Sequence, residues 1–231
     1  MNHFIVEFND ALSPQQCAHI VNKFKSDKRA QAGRTGSGVD LAKKNSTDLT
    51  ISHLENWQQE INQINNVILQ GLIQYARLYP YFLVGAVSTQ FRGQDGQIVE
   101  VTAQHIKSMS DQDLAVMIQR IYQIDPINVQ HYQKQTGGYP YWHSEHFPHP
   151  SDDKQPSLHR VLLWLCYLND VETGGETEFA FQNVKIKPST GKLLFSPCGF
   201  THTHCGHPPE SEEKFILASW ISYRPANQIY G

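Results

Sequence analysis

Hydrophobic and polar positions follow two different rhythms along the chain, and the change comes near residue 125. Before it, apolar residues recur in steps of three and four. "SPQQCAHIVNKFK" places Ser13 as N-cap, Pro14 at the first helical position and Gln16 three after the cap, which predicts a helix from 14 to about 26. The longest such pattern is "SHLENWQQEINQINNVILQGLIQYARLYP". Here Trp57, Ile61, Ile64, Ile68, Leu72 and Tyr75 share one face, Ser52 and Glu55 have capping-box spacing, and Pro80 closes the helix. Such a face needs an apolar support, and the outer face of a sheet is the expected one. "DQDLAVMIQRIY" predicts a third helix over 111–122. "QAGRTGSGVDLAKKNSTD" (31–48) reads as a polar loop without the GK[ST] ending of a phosphate-binding loop. "AVSTQF" and "IVEVTAQ", flanking the turn-rich "RGQDGQ", read as a hairpin within 86–107.

After 125 the helical step disappears. "INVQHY", "RVLLWLCYLN", "NVKIKP", "GKLLFSP" and "KFILASWISY" are short β-rich runs separated by Gly, Pro, Asn, Asp and Ser. That rhythm predicts an antiparallel sandwich or jelly roll. The expected architecture is therefore α+β and mainly β, with N-terminal helices packed on the outer sheet of the barrel. It forms one domain over 1–231, a helical and hairpin support region (1–124) followed by the barrel (125–231).

Composition narrows the classes. With 39% apolar and 18% charged residues, 231 residues suffice for one substantial core. A net charge of −3 gives no long-range pull toward nucleic acid or an anionic membrane, and neither is expected as a partner. Cys17, Cys166, Cys198 and Cys205 form neither a CxxC pair nor a disulfide framework, which favours a reducing setting. No apolar run reaches membrane-spanning length, and "MNHFIVEFND" lacks the features of a signal peptide, so a cytoplasmic protein is expected.

Candidate chemistry gathers in the second half, which holds nine of the twelve histidines after position 104. "YWHSEHFPHP" (141–150) places His143 and Glu145 two apart, and in a strand such residues project from one face. "FTHTHCGHPPESEEKFILASW" adds His202 and His204. One of these two with His143 and Glu145 gives two imidazoles and a carboxylate, the facial set of non-haem Fe(II) oxygenases. The strand from Lys214 is read as returning antiparallel to the one bearing that histidine. Alternation puts Lys214, Ile216, Ala218 and Trp220 on one face. A lone ammonium on an apolar inward face is costly unless an anion meets it, although Lys214 could also stand in solvent beside Glu212 and Glu213.

Over about 130–223 the chain resembles the Fe(II)/2-oxoglutarate-dependent dioxygenases, in their prolyl 4-hydroxylase-like branch. The segments that carry the resemblance are "YQKQTGGYPYWHSE", "YLNDVETGGETEF", "VKIKPSTGKLLFSP" and "HCGHPPESEEKFILASW". The resemblance implies a double-stranded β-helix with His143, Glu145 and His204 as iron ligands, the H-x-G turn favouring His204 over His202. It implies that Lys214 pairs with the distal carboxylate of 2-oxoglutarate, that Thr177 and Tyr167 hydrogen-bond the same group, and that Tyr132 lies near the cosubstrate. Trp220 matches the aromatic that closes the pocket beside the distal histidine. Fe(II), 2-oxoglutarate and O2 are the implied cofactors, with ascorbate as reductant. The implied reaction hydroxylates a C–H bond, with release of succinate and CO2. Peptidyl prolyl or other amino-acid residues are the implied substrates, and small molecules stay open. The chain departs from prolyl hydroxylases in one respect: Glu145 stands where they usually carry Asp.

Other readings remain at this stage. The barrel could be a non-catalytic module for a structural metal or an anionic ligand, or Cys198, His202, Cys205 and His207 could hold zinc. His146, His149, His159 and His207 read as surface or supporting histidines, Arg160 as a carboxylate anchor or a solvated strand end, and "GRTGSG" as a loop able to cover the barrel mouth.

Overall fold

A computed structural model describes residues 3–36, 38–92, 95–149 and 151–230. The central turn of the expected hairpin (93–94), residue 37 of the glycine-rich loop and Pro150 of the histidine-rich segment lie outside the described residues. The chain divides into two compact units, 1–63 with 124–222 and 64–123 with 223–231.

The first unit opens with β1 (Val6–Phe8), α1 (Pro14–Ser26), β2 (Gln31–Ala32) and β3 (Thr47–Thr50). A 3-10 turn (Glu55–Trp57) leads into α2 (Gln58–Leu78), whose first residues belong to this unit. The second unit contains the rest of α2, α3 (Tyr81–Val84), the β4 (Gln90–Arg92) and β5 (Ile98–Glu100) hairpin, α4 (Ala103–Ser108) and α5 (Asp111–Ile121). After β6 (Tyr122–Ile124) the first unit resumes. It adds β7 (Asn128–Tyr132), β8 (Tyr139–His143), β9 (Arg160–Tyr167), β10 (Thr177–Phe179), β11 (Val184–Ile186), β12 (Leu193–Pro197), β13 (His204–Gly206) and β14 (Lys214–Tyr223). The short α6 (Ala226–Ile229) ends the second unit. Among the described residues no helix is long and apolar enough to cross a membrane.

Two antiparallel sheets make the first unit a double-stranded β-helix. The major sheet runs β1-β12-β9-β14-β7-β3-β2 and the minor sheet β11-β10-β13-β8. Between them lies a core that includes Leu163, Leu165, Tyr167, Phe179, Ile186, Ile216 and Ala218. Closing β14 against β7 and β9 fixes its register, with Lys214 opposite Tyr132 and Ile216 opposite Tyr167. That register sends Lys214, Ile216, Ala218 and Trp220 into the interior, as alternation predicts.

Local chemistry explains the helix that backs this sheet. Gln16 N–H donates to Ser13 Oγ at 3.2 Å and Ser13 N–H to Gln16 Oε1 at 2.8 Å, a complete capping box. Cys17, Ile20 and Phe24 then form the buried face of α1. Phe24 meets Phe215 and His131 edge-on at 6.0 and 6.3 Å, so α1 lies on the outer face of the major sheet, as expected. Burying one such ring contributes about 1.5–3 kcal/mol. The first turn of α2 is tied to α1 by Glu60, which accepts from Lys23 Nζ at 2.7 Å and lies 2.7 Å from His19 Nε2.

Several expectations need correction. Ser52 does not cap the long helix: its hydroxyl accepts the Ile127 N–H at 2.8 Å, and the 3-10 turn beginning at Glu55 has no side-chain cap. The apolar face is nevertheless buried as read, from Trp57 to Tyr75. The 31–48 segment is not wholly loop, because β2 and the start of β3 extend the major sheet. The hairpin is shorter than the 86–107 span, since Thr102 and His105 cap α4. β14 does not run beside the histidine-bearing strand. β13 belongs to the minor sheet, and the two strands face each other across the barrel.

Candidate metal centre

His143 ends β8, His204 begins β13, and the two are register partners in the minor sheet. Their rings stand 4.4 Å apart. Glu145 follows two residues after His143, and its N–H donates to the Cys198 carbonyl at 3.1 Å, which holds it beside the strand end. Glu145 Oε1 then lies 3.6 Å from His143 Nε2 and 3.3 Å from His204 Nε2. Two donors at right angles on one ion, each about 2.1 Å away, stand about 3.0 Å apart, so the three atoms need little movement to share a cation. His143 Nδ1 donates to the Tyr141 carbonyl at 2.7 Å, and His204 Nδ1 donates to the His202 carbonyl at 3.0 Å. Both bonds turn Nε2 toward Glu145, the orientation a metal ligand requires.

The electrostatics suit a cation. Burial, and then His204, pushes the His143 imidazole down to about 4, leaving it neutral and able to donate a lone pair at pH 7. Burial works against the Glu145 anion, but the His204 hydrogen bond and the charges of His143 and Arg160 outweigh it and pull the carboxyl down to about 2. Trp220 Nε1 donates to Glu145 Oε2 at 2.7 Å. Arg160 lies 3.5 Å from the Trp220 ring and donates from Nη1 to the Glu145 carbonyl at 3.1 Å. Tyr139 stacks on His143 at 3.8 Å. These supports fix both the carboxylate and the first imidazole.

The same cavity, about 1010 Å³, also admits Lys214, Thr177 and Tyr132. Lys214 is buried, with Nζ donating to the Gly175 carbonyl at 2.9 Å and lying 4.8 Å from the Tyr132 ring centre. Gly174 and Gly175 have φ of +75° and +77°, and a Cβ on Gly174 would meet the Pro208 carbonyl oxygen at 2.5 Å. The glycine pair of "GGETEF" therefore makes the turn that aims a carbonyl at the ammonium. Burial lowers the Lys214 pKa to about 8, Glu176 partly opposing it. Thr177 and Tyr167 share a hydrogen bond of 2.7 Å. Tyr167 is fully buried and braces Thr177, while Tyr132 donates its hydroxyl to Gln130 at 2.7 Å.

The remaining candidates separate cleanly. His202 is buried but engaged elsewhere: Nε2 donates to the His3 carbonyl at 2.9 Å and Nδ1 accepts from Thr201 at 3.0 Å. It therefore takes no part in the triad. The zinc quartet is not assembled, because Cys198 joins the core and His202 faces His3, while Cys205 and His207 gather with Glu178. His146 donates to the Arg160 carbonyl at 2.5 Å. Gly36 packs against Phe147 at the mouth, so the glycine-rich loop reaches the barrel opening. The sequence reading missed Lys44, buried at the cavity wall with Nζ 2.6 Å from Asp48, and the clamp of Trp220 on Glu145. Lys44 has no periodic or motif signal in "LAKKNS". The indole of Trp220 carried one in its inward position, but the donor's target was not readable.

Residues 127–222 match the family model of the 2OG-Fe(II) oxygenase superfamily. Among curated proteins, one named "Probable prolyl 4-hydroxylase 9" from Arabidopsis thaliana is 34% identical over 94 residues, which cover 31% of this chain and 33% of that protein. The chain spans about a third of the length of the curated relatives it matches. Among solved structures, a prolyl hydroxylase from Trichoplax adhaerens in complex with a hypoxia inducible factor peptide superposes with a TM-score of 0.62 at 15% identity, covering 99% of this chain and 86% of that one. A viral collagen prolyl hydroxylase from Paramecium Bursaria Chlorella virus-1 gives 0.56 at 18% identity, covering 95% and 96%. At such identities the superpositions show a shared fold.

Proposed function

We propose, from the match of residues 127–222 to the family model of the 2OG-Fe(II) oxygenase superfamily, that the chain is an Fe(II)- and 2-oxoglutarate-dependent dioxygenase. Its substrate is a C–H bond of a peptidyl prolyl or other amino-acid residue, and succinate and CO2 are released. The observation that carries this reading is a buried ammonium, with no ion-pair partner within 4 Å among the described residues, on one wall of a cavity whose other wall bears His143, Glu145 and His204.

Iron held by the three ligands supplies the activation of O2. The chain supplies the rest. Lys214 takes the distal carboxylate of 2-oxoglutarate, with Thr177 beside it and Tyr167 holding Thr177 in place. Leu163, Leu165, Ile216 and Ala218 line the cavity and exclude water, which strengthens that ion pair. The His204 hydrogen bond, with Arg160 adding to it, keeps Glu145 ionised, and Trp220 holds it turned toward the two imidazoles.

A peptide is the substrate this reading assigns to the mouth. Tyr141 and Trp142 are exposed there, beside Arg34 and Lys43, and the relatives named above are prolyl hydroxylases. Ascorbate is the reductant that keeps the iron ferrous between turnovers. A reducing cytoplasm suits the four free, buried cysteines.

The test is iron-dependent conversion of 2-oxoglutarate to succinate, measured with proline-containing peptides and with free amino acids. The expected result is turnover with a peptide that gains one oxygen atom. Metal binding without any turnover on either set would return the barrel to the class of binding modules.

A further inference from the structure

A second group of metal-binding side chains stands on the outer face of the minor sheet. β10 and β13 pair with Glu178 directly opposite Cys205. Alternation turns these two outward where Thr177, Phe179 and His204 turn inward. His207 lies two residues beyond Cys205 on the same face, and its N–H continues the pairing by donating to the Glu176 carbonyl at 2.9 Å. A carboxylate oxygen, a sulfur and an imidazole nitrogen from these three residues all come within 4.8 Å of one another. Cys205 is buried at the floor of the group, and Glu178 and His207 stand partly exposed at its lip. His207 Nε2 and Glu178 Oε2 are 2.5 Å apart, and Lys185 Nζ reaches the same oxygen from β11 at 3.2 Å.

We propose that Glu178, Cys205 and His207 form a second metal site, for a thiolate-seeking divalent ion of the zinc class, that ties β10 to β13. One S, one N and one O donor are three-quarters of a tetrahedral zinc shell, and the lip leaves the fourth position to water. Donors around such an ion stand roughly 3.3–3.8 Å apart, within reach of side-chain rotation from the observed spread. The thiolate sets the choice of ion. The barrel interior offers two nitrogens and an oxygen and suits iron, whereas a sulfur donor selects zinc over iron, magnesium or calcium.

The proton and charge count closes. The ion displaces one proton from the Cys205 thiol to solvent, and the hydrogen between His207 Nε2 and Glu178 is exchanged through solvent for one on His207 Nδ1, which frees Nε2 to bind. One thiolate and one carboxylate then neutralise a divalent ion, and the exposed Lys185 swings back to solvent. The ion would pin from outside the strands that present Thr177 and His204 on their inner faces.

Cobalt(II) titration of the full chain separates the two centres, because only a sulfur ligand gives an intense thiolate-to-cobalt charge-transfer band in the near ultraviolet. The expected result is such a band in the native sequence, its absence in Cys205→Ser, and at least about tenfold weaker cobalt binding in His207→Gln. A native protein without the band, a band that survives Cys205→Ser, or a His207→Gln variant that binds as tightly as the native chain would each overturn the proposal. His207 is partly exposed, so its variant carries the test even where Cys205→Ser fails to fold.

Discussion

Trp220 and Glu145, seventy-five residues apart in the chain, are joined by an indole N–H donating to a carboxylate oxygen at 2.7 Å. The bond aims Oε1 at the two imidazoles by holding Oε2 back. Through its two oxygens the Glu145 side chain reaches Trp220 on one side and both histidines on the other.

Trp220→Phe keeps the ring and removes the donor. The expected outcome is Mn(II) affinity lowered about 10- to 100-fold with little change in fold, measured by metal titration followed with electron paramagnetic resonance. Unchanged affinity would free Glu145 from this clamp.

Lys214→Met removes the ammonium and keeps the stem. The KM for 2-oxoglutarate should rise about 100-fold or more while metal binding holds, as expected when one partner of a buried charge pair is lost. The same variant should melt higher than the native protein when no cosubstrate is present. The folded pKa of Lys214 is about 8, below the value of a free lysine, so keeping it charged costs stability below pH 8. That cost fades as pH climbs from about 8 toward 10.5, and the gap in Tm between the two proteins should narrow over the same interval.

The depressed pKa of Lys214 also sets a pH limit on cosubstrate capture. Below about pH 8 the ammonium is present, and above it the group is neutral, so the KM for 2-oxoglutarate should increase about tenfold per pH unit on the alkaline side. Lys214→Arg, which stays charged, should flatten that limb. Steady-state kinetics at saturating iron would check both.

Gly191→Ala addresses the fold alone. Gly191 has φ of +78°, and a Cβ there would sit 2.0 Å from the Leu12 carbonyl oxygen. Strain and clash together should cost at least about 2 kcal/mol and lower Tm by roughly 5 °C, read by thermal melting.

What the sequence revealed depended on how local each signal was. The Ser13 and Gln16 cap was legible because both partners lie within one turn. His143 and Glu145 were legible because two-residue spacing alone places them together. The three-residue strand β10 passed unread, since "TEF" is too short to show a period. Ser52 misled because a distant N–H, that of Ile127, claims its hydroxyl. Between His202 and His204 the chain pattern favoured His204, and the structure turns His202 away through the His3 carbonyl, nearly two hundred positions distant in the chain.

The two sheets divide the labour: the minor sheet bears the imidazoles, and the major sheet bears the ammonium at the foot of β14. The barrel is therefore a caliper whose jaws are set by the side chains packed between the sheets. For the proposed 2-oxoglutarate site, the gap between the jaws would set the length of diacid accepted. Altering Leu165 or Ile216, which lie in that gap, would shift the length of acid accepted without altering a single charged group.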